Sequence, residues 1–287
     1  MKKQLADKLE ERTEQFLGRR KTKEEKIIRK LESLADREAE VVKVMATGKI
    51  LTKERADEHD VLYYDVHLKY LINQFGSMYV EEEVEHRKAL FYKGGVFEDV
   101  ELPVIFPEDD PSEFTTDEEL QEETRAFNYD RLKAVRYAER WWNDYNPAYK
   151  KFQVDCTNFI SQCLHQGGAP MRGQPNRGKG WWHQYSNWSY SWAVANSLKN
   201  YLQSSKAGLK AIEVHDPQVL KLGDVICYDF QGDGRFDHNT IVTGKDAAGM
   251  PLVNAHTYNS RMRYWAYEDS SAYTPNIKYK MFTIDDA

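Results

Sequence analysis

Between Glu98 and Thr124 this chain of 287 residues carries no lysine or arginine, and Pro103, Pro107 and Pro111 interrupt the stretch. Like charges repel one another and prolines cannot continue a helix or a central strand, so the segment reads as an extended linker. It divides the chain into a first domain over 1–100, a linker over 101–126 and a second domain over 127–287. Two domains agree with the usual allowance of about 150 residues for each. Val104, Ile105 and Phe106 are apolar enough to dock the linker on a surface.

In the first domain, residues 1–20 are polar and interrupted near Gly18, which predicts a frayed helix or a mobile tail. Thr22 and Glu25 have capping-box spacing, and the stripe Ile27, Ile28, Leu31, Leu34, Val41, Val42 and Met45 predicts one helix over roughly 23–46. From Asp60 the period changes to two: Leu62, Tyr64, Val66, Leu68, Tyr70 and Ile72 alternate with polar residues, as in a half-buried strand. A turn at Gln74–Ser77 leads to a second strand over Met78–His86, and Gly94-Gly95 marks a hairpin. One helix with a few antiparallel strands is a small α+β unit. The run Glu81-Glu82-Glu83 cannot converge on a metal, because neighbours on a strand point to opposite faces, and a solvated edge is expected.

The second domain opens on a helical stripe, Tyr129, Leu132, Val135, Ala138, Trp141 and Trp142, and is α+β as well. Its next helix begins Asp155-Cys156-Thr157-Asn158, with Asp155 as N-cap and Phe159, Ile160, Cys163 and Leu164 on the buried face. A Gly/Pro-rich loop over 169–180 leads into Trp181, Trp182, Trp188 and Trp192, and a further helix follows. After residue 210 strands are expected over 212–214, 224–230, 238–244, 252–256 and 279–284, giving helices packed on an antiparallel sheet. A loop through Gly232 and Gly234 ends at Asp237-His238, which sets a histidine at the start of a strand. Asn254 and His256 lie two residues apart on the next strand and share a face.

A thiol at a helix start has a stated chemistry: the positive end of the helix dipole favours the thiolate, which is the nucleophile. Other chemistries fare worse. The net charge of −6 gives no whole-chain case for nucleic acid as a partner. Three cysteines cannot all pair, which fits a reducing compartment, and no apolar run is long enough to span a membrane. The charged start lacks the apolar core of a signal peptide, so a cytoplasmic location is expected. His165, His183 and His215 lack partners at metal-ligand spacing, and Asp229, Asp233 and Asp237 lack the distal Glu of a calcium loop, so neither metal nor cofactor is expected.

The segments Asp155–Leu164, Gly223–Ile226, Asp237-His238 with Ile241–Gly244, and Leu252–Thr257 together resemble the putative amidase family of bacterial hydrolases. That family is similar to the NlpC/P60 and CHAP groups of papain-like cysteine peptidases. The resemblance covers about residues 127–284 and implies a papain-like α+β fold. It implies Cys156 as nucleophile, His238 as general base, and Asn254 or His256 as the residue orienting it. The Cys156 amide would supply half of an oxyanion hole, with Tyr149 or Tyr145 as second donor and Asp155, Asn158 and Asp237 in support. Trp181 and Trp182, preceded by a loop carrying Arg172, offer either a platform for a peptide or sugar substrate or simple core packing. The implied reaction is hydrolysis of a cell-wall peptide or muramoyl amide through a thioester. A silent glycan- or peptide-binding module and an acyltransferase are the alternatives.

Overall fold

The structure, a computed structural model, describes residues 1–56, 59–103 and 127–286. In chain order its elements begin with α1 (Lys2–Phe16), α2 (Glu25–Asp36), β1 (Ala39–Ala56), β2 (His59–Gln74), β3 (Ser77–Tyr92) and β4 (Gly95–Glu101). They continue with α3 (Arg131–Trp141), α4 (Cys156–Gln166), β5 (His183–Gln184), β6 (Asn187–Trp188), α5 (Tyr190–Ala193) and α6 (Ala195–Ser204). The last are β7 (Ala211–Val214), β8 (Val225–Asp229), β9 (His238–Lys245), β10 (Pro251–Ala255), β11 (Ser260–Tyr264) and β12 (Lys278–Ile284). The expected linker lies outside the described residues from 104 onward, whereas Glu101 closes β4.

The chain forms two compact units, and neither is continuous in sequence. The first comprises the described residues within Met1–Val104, Asp246–Ala248 and Tyr258–Ala272; the second, those within Ile105–Lys245, Gly249–Thr257 and Tyr273–Ala287. The contiguous halves expected from composition therefore give way to a chain that twice leaves the second unit and returns.

In the first unit β1, β2 and β3 form an antiparallel meander, and the far edge of β3 pairs with β4 at one end and β11 at the other. Phe75 and Gly76 both take left-handed φ, 52° and 82°, as a tight two-residue hairpin requires. Helices α1 and α2 cover one face through Leu5, Phe16, Ile27 and Leu34 against Leu62, Val66, Leu68 and Tyr70. The polar start is thus an ordered helix with Phe16 fully buried, rather than a frayed tail. The single helix expected over 23–46 ends at Asp36, Glu38 turns left-handed (φ 54°), and the rest is β1. Bulges at Val41/Lys43 and Ile50/Thr52 explain the misreading, because an inserted residue breaks the two-residue period that announces a strand.

The acidic run of β3 is also not a solvated edge. Glu81, Glu83 and Glu85 share the face that the helices cover and are 1%, 4% and 1% exposed. Lys30 Nζ lies 2.6 Å from Glu81 and 2.9 Å from Asp269; Lys26 Nζ lies 3.1 Å from Glu83 and 2.8 Å from Glu85. Arg12 and Arg87 each reach Glu85 at 2.8 Å. Glu82 does face the other way, toward His67, Lys69 and Arg261. Burial works against the charge on Lys26, Lys30, Glu83 and Glu85, yet opposite charges outweigh it, holding the amines above and these carboxylates below their ordinary values. For Glu81 and Glu101 burial prevails and raises the carboxyl pKa.

In the second unit the strand order is β10-β9-β8-β12-β7, every neighbouring pair antiparallel. Helices α3, α4 and α6 supply Ala138, Phe159, Ile160, Cys163, Leu164 and Leu198 to one core with Val225, Cys227, Ile241 and Phe282 of the sheet. The five strands expected after residue 210 are present, and β11, which falls between the last two in sequence, belongs to the first unit. Both units are α+β with antiparallel sheets. Among the described residues no helix is long and apolar enough to cross a membrane.

Candidate active site

Cys156 opens α4 and is 1% exposed. Asp155 occupies the N-cap position, but its carboxylate does not accept from the first helical turn as expected. One oxygen accepts from the Phe152 amide (2.9 Å) and from Asn158 Nδ2 (3.0 Å), and the other meets His256 Nδ1 at 2.8 Å. The acceptor for the helix start is instead Thr257 Oγ1, which takes the Asp155 amide at 3.0 Å and the Cys156 amide at 3.1 Å. The proposed oxyanion donor is therefore already engaged in this structure. Thr257 holds that position with φ 77°, an outlying conformation for a β-branched residue.

The sulfur sits among donors and acceptors. Thr157 Oγ1 is 3.7 Å from Cys156 Sγ, and the Asp237 carbonyl is 4.0 Å away. Burial pushes the Cys156 thiol up; hydrogen bonds from Thr157, the Asn239 amide and Thr257 pull it down without prevailing. A thiolate favoured by the helix dipole is thus not the resting form. Cys163 and Cys227 are buried core residues, as expected.

His238 begins β9, fully buried opposite Tyr228, with ring centroids 5.7 Å apart. The loop before it is anchored by Asp229, whose carboxylate accepts from the amides of Gly232 (2.7 Å), Asp233 (3.2 Å) and Gly234 (2.8 Å). This use of Asp229 accounts for the calcium-like pattern. The residues on either side of His238 are those that reach the sulfur: the Asp237 carbonyl and the Asn239 amide. Asn239 Nδ2 also donates to Thr157 Oγ1 at 3.0 Å. The fold therefore brings the first residues of β9 onto the start of α4, across 82 positions of sequence.

The two candidate orienters have other partners. Asn254 donates to Glu139 of α3 at 2.8 Å and accepts from Thr243 at 2.7 Å, tying α3 to the sheet. His256 uses Nδ1 on Asp155 and Nε2 on the Trp141 carbonyl (2.7 Å), and its ring stacks on Phe159 with centroids 4.0 Å apart. With both nitrogens committed, His256 braces the start of α4 and is not placed as the orienter of His238.

Other expected site residues are placed elsewhere. The Tyr149 hydroxyl receives Gln166 Nε2, from the last residue of α4, at 3.5 Å. Trp181 and Trp182 are fully buried: Trp181 donates to Ser161 at 2.9 Å and Trp182 to backbone carbonyls of the preceding loop. Arg172 is 8% exposed and pairs through its backbone with Trp181. These three pack the core instead of forming a substrate platform. Asn158 does tie the helix to its surroundings, donating to the Lys150 carbonyl (2.9 Å) and accepting from Trp192 Nε1 (2.8 Å). Thr257, Thr157 and Asn239 escaped the sequence reading; each sits one position from a residue it singled out.

Residues 128–282, just over half of the chain, match a family model described as a putative amidase domain. The uncharacterized protein YhbB of Bacillus subtilis is 52% identical over 268 residues, covering 90% of this chain and 85% of that protein. The uncharacterized protein YjcM of the same organism is 33% identical over 146 residues, 47% of this chain and 32% of that protein. No solved structure matches. The chain belongs to the putative amidase domain family.

Proposed function

We propose that this protein is a cysteine-dependent amide hydrolase of papain-like fold, with Cys156 as nucleophile and His238 as general base. The observation that carries the reading is the contact of both neighbours of His238 with the Cys156 sulfur. Because burial keeps the thiol protonated, the base acts during attack. His238 takes the Sγ proton as sulfur bonds to the carbonyl carbon, then returns it to the departing amine as the C–N bond breaks. Water, deprotonated by His238, then splits the thioester into acid and thiol.

The Cys156 amide serves the developing oxyanion once the substrate oxygen takes the place of the Thr257 hydroxyl. Asp155 and His256 act at one remove by fixing the backbone that carries both sulfur and amide. The substrate class that follows from the resemblance to NlpC/P60-type enzymes is a cell-wall peptide or muramoyl amide. The burial of Cys156 and the occupied amide favour a second reading, a silent binding module on the same fold.

One experiment separates the two. Intact-mass analysis of the protein quenched during turnover of peptide amides or muropeptides should show an acyl adduct on Cys156. Cys156→Ala and His238→Ala should each lower turnover by roughly 10³-fold or more. Undiminished turnover in Cys156→Ala would sink the cysteine mechanism.

A further inference from the structure

Immediately before α4, a group of cations lies over aromatic rings with no carboxylate partner among the described residues. Lys150 Nζ is 4.1 Å from the Trp188 ring centroid, and the Arg177 guanidinium is 4.7 Å from the same ring. Arg177 is fixed further: its Nε donates to the Trp188 carbonyl at 3.0 Å, and its own carbonyl accepts from the Tyr190 amide at 2.8 Å. Phe152 meets Trp188 edge-on at 4.9 Å. On the neighbouring strand His183, backbone-paired with Trp188, is 9% exposed, and its buried Nε2 has no hydrogen-bond partner.

This group is tied to the nucleophile's helix. The Lys150 carbonyl accepts from Asn158, and the Phe152 amide donates to Asp155, both in the turn that carries Cys156. Stacking of a cation on a ring is common and by itself calls for no ligand. Two cations on one indole, without a counter-ion and beside an unsatisfied imidazole, differ from that. Lys150 and Arg177 bring two uncompensated charges to one ring, in a chain whose net charge is −6. A guanidinium held through Nε keeps its outer nitrogens for a carboxylate, and the lysine adds a point charge.

We propose that Lys150, Arg177 and Trp188, with His183, form a subsite that binds the carboxylate of an acidic peptide amide and presents its amide bond to Cys156. The subsite rests on the amidase reading for its role as a specificity pocket, although binding does not require turnover.

The test uses the full chain and matched peptide amides that differ only by Glu or Gln, and Asp or Asn, beside the scissile bond. The acidic member should have a kcat/KM about tenfold higher, worth one good charge contact, and the ratio should shrink as salt rises. Lys150→Glu should bring the ratio to one or below. Lys133→Glu, the same charge change on exposed α3, should preserve it. Equal rates for the pair in the unaltered protein, or a ratio indifferent to Lys150→Glu, overturns the subsite while leaving catalysis standing. Calorimetry on Cys156→Ala keeps the two readings apart. Tighter binding of the acidic peptide, abolished by Lys150→Glu, upholds the subsite even if no peptide is hydrolysed. Inorganic polyphosphate displacing the acidic peptide at equal charge concentration would overturn the carboxylate assignment in favour of a general polyanion surface.

Discussion

The two units bury their helices in opposite ways. In the second, every residue of α4 from Cys156 to Leu164 is buried, and what it turns to the sheet is largely apolar. In the first, α2 buries Lys26 and Lys30 beside Ile27 and Leu34, against a strand that presents three glutamates. An apolar interface loses stability in proportion to the volume or area changed. A buried ionic one depends on every partner, because removing one charge strands another in a medium that cannot solvate it. The first unit is therefore sensitive to composition where the second is sensitive to shape.

The sharpest way to break the contrast is Glu85→Ala, which strips Arg12, Lys26 and Arg87 of a shared partner. A loss of about 3–5 kcal/mol is expected in urea unfolding followed by far-UV circular dichroism. An effect below about 1 kcal/mol would mean that the three cations are solvated in practice.

Acid should separate the units by an effect on the order of a few kcal/mol. Glu83, Glu85 and Asp269 are held below their ordinary values, burial being outweighed by Lys26, Lys30 and Arg263 among others. Their contribution is complete above the unfolded value near pH 4 and is lost as pH falls toward the folded values. Glu81 and Glu101, raised by burial, contribute in the opposite sense and offset part of it: their share is complete below the unfolded value and is lost as pH rises. Trp141, Trp142, Trp181, Trp182, Trp188 and Trp192 belong to the second unit and Trp265 to the first. Tryptophan emission should then outlast the β-sheet circular dichroism signal on titration below pH 4. Simultaneous loss would show that the charged interface does not set acid stability.

Thr257→Val, which keeps the shape and removes the hydroxyl, should cost about 1–3 kcal/mol by stranding two buried amides. Thr257→Ser should recover most of it. Smallest of all, Phe159→Leu should cost less than about 1.5 kcal/mol, because the apolar interface can repack around a similar volume. A larger loss would give the stack on His256 a weight beyond packing.

What could be read from sequence follows the same division. The face of α4, the strands after residue 210 and the strand-start position of His238 announce themselves through apolar period and glycine loops, and they are in place. The first unit resists such reading, since buried Glu81, Glu83 and Glu85 look polar to any rule that equates burial with apolar residues, and the bulges of β1 blur its period. For Trp181 and Trp182 the glycine-rich loop before them left platform and core open, and the choice is made by partners outside that cue: Ser161 and Trp192 for Trp181, Ser189 for Trp182. Thr257 was invisible because its partner lies 101 residues away. His256 was found as one of two candidates to orient His238, because its position named a face and not the carboxylate across from it.

The winding of the chain has a practical corollary for anyone who would cut the gene. The family-matched segment, 128–282, encloses residues 246–248 and 258–272, which belong to the first unit. Expressed alone, it would carry β11 without its β3 partner, and an Arg263–Asp269 pair whose lysine partner, Lys30, is missing. The complementary fragment, ending before the linker, would retain Lys30 without Asp269. Dissection at the proline-interrupted joint thus damages both products, and a truncation series should keep residues 246–248 and 258–272 together with the first unit.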